Sequence, residues 1–283
     1  MRKGTGHLLR AKWLIFHRVV PRSLTLFPHI PILRAVHAVT FDLWDTLFVD
    51  DSDEPVRASR GMRPKKAERR FLLHQALSRH SPVTLEQVSL AYDVVDAAFR
   101  KVWHDHHVTW TVRQRLSVLL EGLQLSLPEV DLAELVRLHE EMELTVRPRL
   151  VEGVREALEE IKGRYRLAVI SDAIFSPGRA LRELLRGEQI LGLFDVLVFS
   201  DEVGCSKPDG RMFERAASDL GVPVTRVIHI GDRDHNDVKG AQAAGARAIL
   251  FTGVKSRDGA ATSAEAVCSR FADLPRIVEK LAG

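Results

Sequence analysis

The chain has 283 residues, of which 45% are hydrophobic and 28% are charged. That composition is enough to bury a sizeable core, as one domain with an insertion or as two domains. The only cysteines, Cys205 and Cys268, are too few for a disulfide framework or a four-ligand zinc site. This cysteine usage predicts a reducing, cytoplasmic location.

The basic character of the chain is confined to its N-terminal part. Residues 1–41 contain seven Lys or Arg and no acidic residue, so the remainder has 34 basic against 38 acidic residues, a balance of −4. Nucleic-acid binding requires a basic surface on the folded domain. We therefore expect no nucleic-acid partner.

Residues 1–34 are predicted to be a basic extension outside the folded body. Their longest uninterrupted apolar run, residues 13–16, is far shorter than the roughly 20 residues of a membrane span, and no signal-peptide cleavage pattern follows. Three interpretations stay open. The segment is a disordered or peripheral tail, sequence upstream of the true start, or a short basic amphipathic helix that contacts an anionic membrane surface.

From residue 35 onward, short apolar runs rich in β-branched residues predict buried strands at 35–42, 165–171, 194–200, 225–231 and 246–252. Between these runs, amphipathic patterns predict helices at 153–162, 177–186, 208–220 and 235–245. This alternation predicts the α/β class, with a Rossmann-like parallel sheet and helices on both of its faces.

Residues 60–148 interrupt the alternation, because they contain no strand-like run. They predict helices at about 65–79, 85–103, 112–123 and 132–144. The insert would cover the carboxyl edge of the sheet, where ligands bind in this architecture. We therefore predict an α/β core and an all-helical cap inserted after the first strand, with the core at 35–60 and 148–283 and the cap at 61–147.

Chemically complementary residues follow four of the predicted strands, and we expect them to meet at one edge of the sheet. They are Asp42, the pair Ser171 and Asp172, Lys207, and the acids Asp232 and Asp237. Carboxylates with a backbone carbonyl suit Mg²⁺, while a lysine and a hydroxyl suit phosphate oxygens. Attack by Asp42 on phosphorus would give an aspartyl-phosphate, which water then cleaves.

The succession of FDLWDTL, VISD, a Lys-Pro dipeptide and HIGDRDHND resembles the four motifs of the haloacid dehalogenase (HAD) superfamily. The resemblance covers residues 35 to about 252, and the helical insert matches the position of that family's α-helical cap. It implies that Asp42 is nucleophile and metal ligand and that Thr46 orients the active-site loop. It further implies phosphate contacts from Ser171 and Lys207, with Asp172 beside them, and metal contacts from Asp232 and Asp237.

One position departs from the pattern of the superfamily's phosphatases. Most of them carry an Asp two residues after the nucleophile, as general acid and base, whereas this chain has Trp44. An indole cannot do this work, although its backbone carbonyl still matches the implied metal ligand. Loss of the general acid costs a factor of about 10² to 10⁴ for a poor leaving group. We therefore expect a small phosphorylated metabolite with a good leaving group, or another proton donor.

The candidates for that donor are Asp45 and the histidines of WHDHH, His104, His106 and His107. Two other functions stay open. An aromatic residue at this position is common in the 2-haloacid dehalogenase branch, but that branch dispenses with metal and would leave Asp232 and Asp237 without a task. A catalytically weak phosphate-binding or regulatory module is the other alternative. The sequence determines neither the substrate nor the oligomeric state.

Overall fold

The computed structural model describes residues 36–256 and 261–283. The predicted extension at residues 1–34, with its possible membrane-surface contact, lies outside the described residues. Within the two described ranges, no helix combines the length and the apolar character that crossing a membrane would require.

One sheet of six parallel strands organises the α/β part, in the order β3-β2-β1-β4-β5-β6. The strands are β1 Ala38–Phe41, β2 Arg166–Ser171, β3 Val196–Phe199, β4 Val227–Gly231, β5 Arg247–Phe251 and β6 Ala266–Cys268. The first five lie within the predicted runs. Strand β6 was not predicted, because three residues are too few to show a periodic pattern.

Both faces of the sheet are covered, as predicted for the α/β class. Alternate residues of a strand point to opposite faces, so Val39 and Phe41 of β1 join one apolar cluster while Ala38 joins the other.

The helices and helical turns of the described ranges are α1 Glu54–Ser59, α2 Lys65–Ser78, α3 Leu85–His106, α4 Val112–Leu123, α5 Glu129–Glu140, α6 Met142–Thr145, α7 Val154–Lys162, α8 Gly178–Gly187, α9 Ser200–Val203, α10 Gly210–Leu220, α11 Gly240–Ala243 and α12 Leu274–Ala282, with 3₁₀ turns at Leu191–Leu193, Val224–Arg226 and Phe271–Asp273.

Two predicted helices differ from the observed ones. The pattern at 132–144 is divided at Glu141 into α5 and α6. The pattern at 235–245 begins as a π-helix, Asp234–Lys239, before α11. The wider turn follows from the amide of Val238, which bonds at 3.3 Å to the carbonyl of Arg233, five residues back.

Helices α2 to α5 bury an apolar cluster of their own. Among its members are Leu73 and Leu77 of α2, Val88 and Val95 of α3, and Leu116 of α4. Phe175, from the loop after β2, packs against this cluster and so joins the helical insert to the sheet. The proposed boundaries of core and cap stay a prediction.

Candidate active site

The side chain of Asp42 lies at the centre of the carboxyl edge of the sheet. Asp42 directly follows β1, and its backbone N–H donates a 2.8 Å hydrogen bond to the carbonyl of Ile230 on β4. Strand β1 lies between β2, which ends at Ser171, and β4, which is followed by Asp232. The order of the strands therefore brings residues far apart in sequence to one place.

Three buried carboxylates, those of Asp42, Asp232 and Asp237, form an acidic cluster. One oxygen from each residue lies within 4.8 Å of the others, and at most 7% of each residue is exposed. Oxygen donors at this spacing are the ligands that hard divalent cations take.

Lys207 links two members of the acidic cluster. Its Nζ atom lies 2.6 Å from Oδ1 of Asp42 and 2.5 Å from Oδ1 of Asp237. Burial acts to lower the pKa of Lys207, but Asp237, Asp42 and Asp172 raise it above its ordinary value. The ammonium group is therefore a fixed positive charge beside the candidate nucleophile.

Burial and the neighbouring carboxylates disfavour the ionised form of Asp42. Burial raises the pKa of Asp42 to about 8; Lys207 opposes the rise, and Asp237 and Asp232 add to it. A divalent cation among the three carboxylates would offset their negative charge and favour an ionised Asp42. The donor set thus fits the kind of metal site that the sequence predicted.

Asp237 is held by further contacts besides its place in the cluster. Its carboxylate accepts from the backbone N–H of Arg233 at 2.9 Å, and Nε2 of His229 lies 3.3 Å from Oδ1. The side chain also packs against Gly231, where a Cβ atom would lie 2.2 Å from Cγ of Asp237. Although burial acts to raise it, Lys207 and His229 hold the pKa of Asp237 below its ordinary value.

The predicted phosphate-contact residues lie in different surroundings. The hydroxyl of Ser171 is buried and has no hydrogen-bond partner within the described ranges, so it can donate to an incoming oxygen. Asp172 lines the same pocket as Lys207, but its Oδ1 accepts the backbone N–H of Lys207 at 2.9 Å. Its observed contact therefore positions Lys207. Burial raises the pKa of Asp172, against the effect of Lys207.

Thr46 is fully buried, and its hydroxyl also lacks a hydrogen-bond partner in the part of the chain that the structure describes. The loop-orienting hydrogen bond expected from the resemblance is thus not seen there. The assigned role of Thr46 stays a prediction.

A small cavity borders the acidic cluster, and a larger one adjoins it through shared lining residues. The nucleophile pocket, of about 50 Å³, is lined by Asp42, Trp44, Trp103, Asp172, Ile174, Lys207, Arg233, Asn236 and Asp237. The outer cavity, of about 390 Å³, is lined by Trp44, Asp50, Asp51, Lys65, Arg69, Asp96, Phe99, Arg100, Trp103, Arg115, Glu143, Ile174, Phe175, Ser176 and Arg233. Trp44 belongs to both walls, as do Trp103, Ile174 and Arg233.

The candidate proton donors named from the sequence do not line these cavities. Asp45 has a backbone φ of 54°, and its carboxylate contacts Nζ of Lys255 and the backbone N–H of Asp50. His104 and His106 are exposed, and the carbonyl of His107 accepts the N–H of Ser206 at 2.8 Å. Trp103, from the same WHDHH segment, is the residue that lines both cavities.

Sequence reasoning missed Trp103, Arg233, Asn236 and His229 as neighbours of the site. Arg233 and Asn236 belong to the GDRDHND motif, and their position there was an available signal. His229 lies on β4, where a histidine within an apolar run could have been noticed; its Nδ1 lies 2.9 Å from Oγ1 of Thr40. No pattern in the sequence singled out Trp103.

Comparison with known proteins gives the family. Residues 36–245 match the model of the haloacid dehalogenase-like hydrolases. The chain is 31% identical over 125 residues to haloacid dehalogenase-like hydrolase domain-containing protein 3 of Mus musculus (44% of this chain, 48% of that protein). It is 33% identical over 152 residues to a phosphorylated carbohydrates phosphatase of Thermotoga maritima (53% of this chain, 68% of that protein).

A shorter match, 40% identical over 89 residues, is to a glyceraldehyde 3-phosphate phosphatase of Methanothermobacter thermautotrophicus and covers 30% of this chain and 37% of that protein. Apart from the Thermotoga protein, these alignments cover less than half of each relative's length.

Solved structures share the fold across two kinds of enzyme. A 2-haloacid dehalogenase from Pseudomonas syringae superposes with a TM-score of 0.61 at 21% identity, covering 87% of this chain and 99% of that one. A HAD phosphatase from Thermococcus onnurineus gives 0.57 at 20% identity, covering 86% and 97%. The fold alone therefore does not separate dehalogenase from phosphatase. The family match over residues 36–245, together with the Thermotoga relative, shows that this chain belongs to the haloacid dehalogenase-like hydrolases.

Proposed function

We propose that this hydrolase is a Mg²⁺-dependent phosphatase that acts through an aspartyl-phosphate at Asp42 on a small phosphorylated metabolite. The observation that supports this best is the placement of Lys207 Nζ 2.6 Å from Asp42, within a cluster of three buried carboxylates. Such a site combines cation ligands with a fixed positive charge. Two relatives named as phosphatases of phosphorylated compounds give independent support.

The metal would be held by Asp42, Asp232 and Asp237, with the backbone carbonyl of Trp44 as a further oxygen. When bound there, Mg²⁺ supplies positive charge that offsets the negative charge of the phosphate. Lys207 and the hydroxyl of Ser171 bind phosphate oxygens. The hydrogen bond from the backbone N–H of Lys207 to Asp172 holds the lysine in place.

In the first step, one carboxylate oxygen of Asp42 forms a bond to phosphorus. The bond from phosphorus to the ester oxygen breaks, and its electron pair leaves with that oxygen. In the second step, water attacks phosphorus, the bond to Asp42 breaks, and the carboxylate is restored. The products are inorganic phosphate and the released alcohol, phenol or acid, and the protons exchange with solvent.

The surroundings of Trp44 favour substrates with a good leaving group. Trp44 forms part of both cavity walls, while the carboxylate of Asp45 is bound to Lys255. Neither side chain is placed to donate a proton to a departing oxygen. The phenolate of an aryl phosphate, the carboxylate of an acyl phosphate and the phosphate of a pyrophosphate leave without that proton. We therefore expect these classes of substrate to react faster than alkyl phosphates.

Dehalogenation is the second candidate, because Trp44 occupies the position where that branch carries an aromatic residue. The acidic cluster argues against it, since that chemistry gives Asp232 and Asp237 no task. The cytoplasmic location remains a proposal that rests on the cysteine usage alone.

Hydrolysis of p-nitrophenyl phosphate by the full chain tests the proposal. We expect turnover that requires Mg²⁺, disappears in Asp42→Asn, and leaves an acid-stable, hydroxylamine-sensitive phosphate on the protein. Halide release from 2-haloacids without added metal would favour the dehalogenase. Absence of both activities would favour a phosphate-binding module without catalysis.

A further inference from the structure

The guanidinium group of Arg69 in α2 lies in the wall of the outer cavity, where two of its nitrogens lack a hydrogen-bond partner among the described residues. The residue is 6% exposed, and its Nε and Nη2 atoms are buried without a hydrogen-bond partner in the described ranges. Its one ion-pair contact there, Nη2 to Oε1 of Glu143, is 3.6 Å long. Buried polar groups are normally hydrogen-bonded, because desolvation without a partner is costly.

Glu143, the ion-pair partner of Arg69, also contacts other residues. Oε1 of Glu143 also lies 3.3 Å from Nζ of Lys65, and its other oxygen accepts from the hydroxyl of Ser176. Burial lowers the pKa of Arg69, and Glu143 opposes this effect. Arginine remains charged in proteins. A buried positive charge thus borders the cavity, and among the described residues its one ion-pair partner, Glu143, is shared with Lys65.

A neighbouring arginine in the same wall provides the contrast. Arg69 and Arg115 both stack on the ring of Phe175, at 3.6 and 4.0 Å from its centroid. Arg115, however, donates from Nη2 to Asp96 at 2.6 Å and from Nη1 to the carbonyl of Ile174 at 3.1 Å. Stacking holds the plane of each guanidinium and leaves its edge for hydrogen bonds. Only the edge of Arg115 is occupied within the described residues.

We propose that Arg69 binds a second anionic group, a carboxylate or a phosphate, on the leaving portion of the substrate. This proposal rests on the proposed function, because the cleaved phosphate occupies the nucleophile pocket. The outer cavity has a volume of about 390 Å³, and an engineered cavity of about 150 Å³ binds benzene. Aromatic side chains in its wall, Trp44, Phe99 and Trp103, suit a flat or apolar spacer between the two anions.

The test compares three probes that differ only at the far end of a benzene ring: phenyl phosphate, 4-carboxyphenyl phosphate and 1,4-phenylene bisphosphate. Binding is measured by calorimetry with Mg²⁺ and the Asp42→Asn chain, which does not turn them over. We expect at least one of the two probes with a second anionic group to bind about 10- to 100-fold more tightly than phenyl phosphate, as for a hydrogen bond to a charged group. Comparison of these two probes distinguishes a carboxylate from a phosphate.

In the double variant Asp42→Asn/Arg69→Gln, the ratio of the affinity for a probe with a second anionic group to the affinity for phenyl phosphate should fall towards one. Arg69→Lys should keep part of this preference, since lysine retains the charge but not the planar fork. The matched control is Arg70→Gln, because Arg70 is the next residue of α2 and pairs with Asp93 at 2.7 Å, outside the outer cavity. It should leave the ratio unchanged.

Equal affinity for all three probes, a preference that survives in Arg69→Gln, or no binding of any probe would overturn the proposal. If Arg69→Gln does not fold, Arg69→Lys and the ratio in the Asp42→Asn chain decide the matter. Failure of the proposed function looks different: the wild-type chain would not hydrolyse p-nitrophenyl phosphate, although the probes still discriminate.

Discussion

The backbone N–H of Lys207 donates a 2.9 Å hydrogen bond to Oδ1 of Asp172, while its side chain bridges Asp42 and Asp237. Asp172 thus fixes the loop from which Lys207 projects. We expect Asp172→Ala to lower kcat/KM for p-nitrophenyl phosphate by roughly 10- to 100-fold, the worth of a hydrogen bond to a charged group. Asp172→Asn keeps an acceptor oxygen and should lose less. Wild-type kinetics in Asp172→Ala would contradict this role.

Mg²⁺ should stabilise the chain through the acidic cluster. A ligand that binds only the folded state adds about 2.7 kcal/mol at 100 times its Kd, so urea unfolding midpoints should rise with Mg²⁺ and return with EDTA. Asp232→Asn and Asp237→Asn should abolish the rise. Asp234→Asn is the control, because Asp234 lies in the same motif but contacts Thr262 and Lys239. An equal rise in all three variants would place the metal elsewhere.

Gly231 should be intolerant of a side chain. A Cβ atom there would lie 2.2 Å from Cγ and 2.5 Å from Oδ2 of Asp237, so Gly231→Ala must displace the aspartate. We expect loss of most Mg²⁺-dependent activity and a weaker Mg²⁺ effect on stability. Gly122→Ala is the control: it lies in α4, where an added methyl group would meet no atom within 4 Å, and alanine should stabilise the helix by about 0.5–1 kcal/mol. Normal metal dependence in Gly231→Ala would show that Asp237 is dispensable.

The positions of Asp42, Ser171 and Asp232 could be predicted because each marks the end of an apolar run. In a parallel sheet those ends share one edge, so a local pattern carries long-range information. The role of Asp172 could not be predicted in this way. Its observed partner is the amide of a residue 35 positions away, and nothing in the VISD segment indicates that pairing.

The helices of the insert could be predicted from the sequence, but the side chains that they present to the sheet could not. Periodicity identified α3 as an amphipathic helix, and Val88, Tyr92 and Val95 do pack in the cluster among the helices. Which further side chains face the sheet depends on how the insert docks. That docking places Trp103 and Arg69 in the cavity wall, whereas the sequence offered the histidines of WHDHH, because histidine is the commonest general acid.

Replacing Trp44 should change which leaving groups react. An aspartate there would stand in the wall shared by both cavities and could protonate the departing oxygen. We expect Trp44→Asp to raise kcat/KM for an alkyl phosphate, relative to p-nitrophenyl phosphate, by up to the factor of about 10² to 10⁴ that general acids supply. Trp44→Phe keeps an aromatic ring without a carboxyl group and should leave that ratio unchanged. A folded Trp44→Asp chain with the wild-type ratio would refute the missing-acid argument.

His139 should make the chain sensitive to acid. It is buried in α5, where Nδ1 lies 2.8 Å from the carbonyl of Leu135 and Nε2 lies 2.5 Å from the hydroxyl of Tyr92. Burial, with Arg69 nearby, lowers its pKa from 6.5 to about 3. Between these values the unfolded chain binds more protons than the folded one, so the free energy of unfolding falls as the pH drops below about 6.5.

The contribution of His139 to that slope should approach 1.4 kcal/mol per pH unit, the free-energy equivalent of about one bound proton. Urea unfolding of the wild-type chain and of His139→Gln between pH 7 and about pH 4 measures the difference, because the variant lacks the titrating ring. Even if the variant is less stable at pH 7, its stability should fall less steeply with acid. His104→Gln, at an exposed position, should keep the wild-type slope. Parallel curves for His139→Gln and the wild type would mean that the buried imidazole accepts a proton without opposing the fold.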